Sequence, residues 1–154
     1  MLGGGLAELT VVAEELGRAL LPVPFLSSTV VAGQILTRCP DGPDLLGRMA
    51  GGDVRASFAG VAGDGCWRPD RLAVRAENGS GAWRLSGTAE FVLDGATAHQ
   101  LVAAAMTPDG CDLFLVAGDD PNVQRRALET LDPTRGQAEV SFDGAKCDRV
   151  DERW

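Results

Sequence analysis

The chain has 154 residues, 45% of them apolar, and a formal net charge of −8, enough for one domain or two small ones around a real core. One lysine, Lys146, and 22 acidic against 14 basic residues exclude a phosphate-backbone binder, which needs clustered cations to release counterions. No apolar run reaches the roughly 18–20 residues of a membrane span, and no basic flank of a signal peptide opens the chain, so the expectation is a cytoplasmic protein with neither nucleic acid nor membrane as partner.

Leu6, Leu9, Val12, Ala13, Leu16, Ala19 and Leu20 recur at spacings of three and four, with Glu8, Glu14, Glu15 and Arg18 opposite. That is an amphipathic helix. Pro22 and Pro24 stop it. A second helix is expected from Ser27 or Ser28 to Thr37 or Arg38, then the breaker Pro40-Asp41-Gly42-Pro43, then a short third helix over Asp44–Met49 that ends at Gly51-Gly52. Helices are confined to the first third of the chain.

From Val54 onward the pattern changes to strands and turns. Val54–Ala59 is the first strand, Gly60–Gly65 a glycine-rich loop, and Leu72–Ala76 and Trp83–Gly87 flank an Asn78-Gly79 hairpin turn. Across a Gly-containing turn, Ala89, Phe91 and Leu93 alternate with polar or smaller neighbours, and Asp94-Gly95 closes the run. Leu101–Met106 and Leu113–Ala117 read as fully buried strands, and Ala138, Val140 and Phe142 mark the last clear one. The fold class expected is α+β: N-terminal helices packed beside an antiparallel β-barrel of about seven strands.

Few residues announce chemistry. Cys39, Cys66, Cys111 and Cys147 are too far apart for a zinc knuckle or a CxxC pair and read as reduced, small apolar residues. His99 is the lone histidine and reads as a turn or strand-edge residue, so no metal site is expected. The loop GVAGDG is not a Walker A motif and reads as a strand connection. Trp67 is expected to cap that loop by packing and Trp83 to be core. Arg125-Arg126 reads as a solvated pair in a link between strands, with a ligand phosphate or a neighbouring subunit as the alternative contact.

Several stretches resemble the acyl-CoA dehydrogenase family. Glu14–Pro24, EELGRALLPVP, is similar to the family's N-terminal helical domain, and Leu45–Asp53, LLGRMAGGD, to its run into the barrel. Trp83–Ala98, WRLSGTAEFVLDGATA, is similar to the strand pair of its middle domain, and Thr130–Gly144, TLDPTRGQAEVSFDG, to its return strands. The resemblance covers about residues 3 to 145. It implies a partial N-terminal helical domain over 1–52, a middle β-barrel domain over 53–145 and an unmatched tail, 146–154. The family's C-terminal four-helix domain is not matched.

What the resemblance implies is FAD-dependent α,β-dehydrogenation of acyl-CoA thioesters, in homo- or hetero-oligomers with acyl-CoA dehydrogenase subunits. Anchoring Ala62-Gly63 on the family's Ala-Gly puts Phe58, Ala59, Gly63 and Asp64 at its flavin-facing positions on the first strand, and Phe91, Val92 and Leu93 at those of the second. The family's hydroxyls are missing from these places, and two or three lost hydrogen bonds at about 1 kcal/mol each weaken FAD binding about 30- to 150-fold. No catalytic residue is assignable, because the family's carboxylate base lies in the C-terminal domain; Glu90, Glu129 and Glu139 read as solvent-facing. The expected protein is a truncated acyl-CoA dehydrogenase, inactive alone. The alternatives are a non-catalytic partner subunit of a heteromeric dehydrogenase and a small apolar-ligand-binding barrel.

Overall fold

The computed structural model describes residues 5–39, 42–79 and 81–150. Helix α1 (Leu6–Arg18) starts where the Glu8 carboxylate accepts the Gly5 backbone N–H at 2.6 Å and ends before the proline link. A π-helix (Phe25–Ala32) runs straight into the α-helical turn α2 (Gly33–Leu36), and α3 (Gly42–Ala50) follows. All three lie where the apolar periodicity puts them; residues 40 and 41 of the expected breaker fall outside the described residues. Among the described residues no helix is long and apolar enough to cross a membrane.

Seven strands follow: β1 (Ala56–Ala59), β2 (Arg75–Gly79), β3 (Ala82–Leu93), β4 (Gln100–Thr107), β5 (Gly110–Ala117), β6 (Val123–Ala127) and β7 (Gln137–Arg149). Pairing in the order β4-β2-β3-β7-β5, and back from β5 to β4, closes a five-stranded barrel; β1 adds to β4 and β6 to β7. The class is α+β, as the pattern of elements requires. The sheet is mixed, however: β1 and β2 run parallel to β4, and the other pairings are antiparallel. A parallel neighbour needs a crossover: the chain passes through β3 between β2 and β4, and also through a long link with a short 3₁₀ turn (Pro69–Arg71) between β1 and β4.

Strand β4 explains the two-sided burial of its run. Leu101, Ala103 and Ala105 point into the barrel with Leu85, Val92, Phe114, Val116 and Val140. Val102 and Ala104 point out into a second core with Ala32, Leu36, Leu45, Val54, Leu72 and Leu113. A strand with a core on each face reads as continuously apolar. Burying each large side chain contributes about 1.5–3 kcal/mol, so the helices are held on the barrel mainly by this second layer. Helix α1 is the exception, since none of its residues is buried.

Three expectations are corrected here. The hairpin turn lies two residues beyond Asn78-Gly79: these two residues are still in β2, opposite Trp83 and Ala82, and Gly81 takes φ +84°. The two strands expected on either side of Gly87 are one strand, β3. Gly87 sits inside it at φ +114°, and a Cβ there would stand 2.4 Å from the Ala73 carbonyl oxygen, so the glycine admits a crossing backbone instead of making a turn. The Arg125-Arg126 pair lies in a strand, β6, rather than a link: Arg125 donates to the Ala98 carbonyl at 2.9 Å, and Arg126 pairs with Glu139 across the ladder at 2.6 Å.

The expected tail is also sheet in part. Cys147 pairs with Trp83, and Arg149 with Phe114, so residues 146–149 complete the barrel closure. Arg149 there makes a 2.7 Å ion pair with Asp112, which is 6% exposed, and lies 5.6 Å from the centre of the Trp83 ring. Its buried Nε has no hydrogen-bond partner; the aromatic face offsets part of that cost.

Candidate functional site

A register slip in β3 creates the site. Between Ala89, opposite Val140, and Val92, opposite Ala138, β3 carries one extra residue, a β-bulge that reverses which side chains face inward. Phe91 takes φ +52° and turns outward, 40% exposed, and Val92 becomes the buried residue. A non-glycine residue in this left-handed region costs of order 1–3 kcal/mol and persists only where its surroundings hold it.

Outside the bulge lies a narrow slot of about 20 Å³, lined by Ser27 and Val31 of the π-helix, Ser57 and Phe58 of β1, Val61, Trp67, Phe91 and Leu93. Three of the seven sequence-predicted residues, Phe58, Phe91 and Leu93, therefore come together. The other four do not. Ala59 and Val92 are fully buried inside the barrel, facing away from the slot, because each is the inward neighbour of an outward residue in the pleat. Gly63 and Asp64 are exposed on the loop after β1, outside the lining.

The slot's polar groups are spent internally. The Ser57 hydroxyl donates to the Leu93 carbonyl, and the Ser27 hydroxyl meets the Asp94 carboxylate at 2.5 Å. Ser28, next to it, accepts the Ala56 backbone N–H at 3.1 Å. These serines clamp the π-helix to β1 and to the end of β3. Neither hydroxyl has a signature in single-sequence patterning, since serine in a helix or strand is ordinary; the adjacency of Ser57 to Phe58 is the only cue.

The loop beyond β1 is braced. The Ala62 N–H donates to the Cys66 carbonyl at 3.0 Å, Gly65 to Ala62 at 2.8 Å, and the Glu90 N–H of β3 to Val61 at 3.2 Å. The Cys66 N–H and the Arg71 guanidinium, the latter at 2.6 Å, hold the Asp64 carboxyl below the usual carboxylate range. This frame presents Trp67 to Phe58, with ring centres 6.1 Å apart, and the tryptophan packs as the sequence suggests.

Elsewhere the chemistry is quiet. His99 Nδ1 accepts the Arg55 N–H at 3.0 Å at the start of β4, a strand-edge role. Burial, and then the neighbouring Asp148, push the Cys147 thiol up to about 12, so it is not a nucleophile at neutral pH. Among the described residues no three His, Cys, Asp or Glu side chains gather as a metal site.

A helical layer on one face of a small closed barrel, with a slot where two strand ends meet the second helix, is the arrangement to be matched among known proteins. No family model matches the chain. It is 34% identical over 155 residues to the acyl-CoA dehydrogenase FadE27 of Mycobacterium tuberculosis, covering 95% of this chain and 38% of that protein. Among solved structures it superposes on the ChsE4-ChsE5 complex of Mycobacterium tuberculosis (30% identity, TM-score 0.84, 96% of this chain and 41% of that one). It also superposes on the Tcur3481-Tcur3483 steroid ACAD (29%, 0.85, 96% and 41%). The acyl-CoA dehydrogenase of Geobacillus kaustophilus shares the fold at TM-score 0.87, covering 98% of this chain and 44% of that one, with 20% identity. The chain belongs to the acyl-CoA dehydrogenase family, and spans about two fifths of the length of these relatives.

FAD is the group this family implies, and the residues in hand do not fit it. The ring face offers Phe58, Phe91 and Leu93, with no free donor among Ser27 and Ser57. The slot's 20 Å³ holds a water and little more, against the about 300–1,000 Å³ of ligand pockets. Asp64, which the resemblance puts on the pyrophosphate side, lies outside the slot and is a carboxylate already tied to Arg71.

Proposed function

We propose that this chain works as a flavin-free partner polypeptide in an acyl-CoA dehydrogenase assembly, in which another chain of the same fold supplies the flavin and the carboxylate base for α,β-dehydrogenation of an acyl-CoA thioester. The observation that carries this reading is the cramped slot: its hydroxyls are committed to Asp94 and Leu93, and the paired Phe58 and Trp67 rings line it. A positioned base contributes roughly 10²- to 10⁴-fold to such a proton abstraction, and none of the slot-lining residues is a carboxylate. The chain alone is therefore inactive. That ChsE4-ChsE5 is a complex supports assembly with a second dehydrogenase chain.

The barrel interior weighs against a container for small apolar ligands, because Leu85, Leu101, Phe114, Val116 and Val140 fill it with almost no exposure. Purification alone and with a co-expressed full-length acyl-CoA dehydrogenase from the same genome tests the reading. A colourless chain that elutes with its partner is expected. A chain that carries stoichiometric flavin by visible absorbance and oxidises acyl-CoA unaided would overturn it.

A further inference from the structure

We propose that the Phe58–Trp67 pair is a built-in substitute for a bound ring: two of the chain's own side chains occupy the surface that the family gives to isoalloxazine, and complete this end of the barrel without a cofactor. The proposal rests on the flavin-free reading above and says which residues enforce it.

Three observations converge on the pair. The Phe58 ring lies so close over Gly60 that a Cβ on the glycine would fall 2.2 Å from the ring, so the backbone itself is the floor on which the phenyl sits. Trp67 pairs with the ring, 6.1 Å centre to centre and inclined by 31°, within the range of favourable aromatic pairs. The loop that delivers the indole is tied by Asp64–Arg71 and by backbone bonds within residues 62–66. An indole that is itself 65% exposed does not need such a frame to fold a barrel; the frame fixes it over Phe58. The third wall is Phe91, turned into place by the bulge at φ +52°.

If the pair stands in for a ligand ring, removing it leaves a flat apolar gap that a planar molecule can enter. Trp67→Ala and the double variant Phe58→Ala with Trp67→Ala are compared with the full wild-type chain, using riboflavin, FMN and FAD as probes. The readouts are flavin fluorescence quenching and melting temperature. The wild type is expected to show no quenching and no shift. The double variant is expected to melt roughly 5–10 °C lower, to quench flavin fluorescence, and to regain roughly 5 °C with saturating riboflavin. Trp67→Ala removes a mostly exposed side chain, and carries the same quenching test if the double variant does not fold. Trp67→Phe keeps a ring over Phe58 and is expected to behave as the wild type. Quenching by the wild type overturns both this proposal and the flavin-free reading. A silent wild type with equally silent Ala variants overturns the stand-in alone.

Discussion

Asp64 shows how one residue's ionisation reaches the candidate site. Its carboxylate accepts the Cys66 N–H and pairs with Arg71, which lowers its pKa below the ordinary value of about 3.9. A depressed carboxylate contributes stability that is fully present above the ordinary value and is lost as pH falls through the lower, folded value. The loop holding Trp67 is thus expected to loosen below about pH 4, before the barrel melts. The Trp67 indole resonance in NMR, followed against β4 amide signals on acidification, checks this; simultaneous loss of both would refute it. Asp64→Asn should remove the separate acid step. Phe58, Phe91 and Leu93, singled out from the sequence, line the slot together, whereas nothing in the sequence pointed to Ser27 and Ser57, because their partners are 67 and 36 positions away.

At the scale of elements, β3 and α1 mark opposite extremes. Gly87 of β3 combines φ +114° with Ala73 backbone atoms at 2.4 and 3.0 Å from a Cβ, so neither contact is a flexible side chain that could give way. Gly87→Ala is expected to cost about 3 kcal/mol, read as a lower urea midpoint at unchanged slope. A change under about 0.5 kcal/mol, the size of an ordinary surface substitution, would mean that this close approach does not exist. Helix α1 buries none of its 13 residues, and isolated helices of that length are marginal in water. Its amides should show protection against hydrogen exchange on the order of 1,000-fold below those of β4; equal protection would mean that α1 is packed against something in solution. Period-2 alternation located β3, but it misjudged which residue of Phe91 and Val92 is buried, since a bulge shifts the phase and leaves no mark in composition.

For the molecule as a whole, closure is the deciding step. The last part of β7 bonds to β3 on one side and, through Asp148 and Arg149, to β5 on the other. A chain ending at Gly144 keeps most of the apolar core residues but presents unpaired strand edges, which template aggregation. It is expected to lose cooperative melting and to aggregate, by calorimetry and light scattering, and a sharp two-state transition in that chain would contradict the closure. Asp112→Ala tests the same seam more gently. It strands the half-buried Arg149 and should cost about 2–3 kcal/mol, observed as a lower midpoint in urea.

The sequence by itself determined the helical first third, the change to strands at Val54, the strand character of β3, β4, β5 and the start of β7, and the kinship carried by the runs around Glu14, Leu45, Trp83 and Leu131. These are local signals, set by side-chain periodicity and turn chemistry within a few residues. Only the tertiary structure decided the parallel pairing of β1 and β2 with β4, the strand β6, the use of residues 146–149 to shut the barrel, and the slot walled by Ser27, Ser57, Trp67 and Phe91. Each of these depends on which distant segments meet. A bulge, a crossover or a hydroxyl bonded across dozens of residues gains its free energy from the contact itself, and no window of neighbouring residues records it.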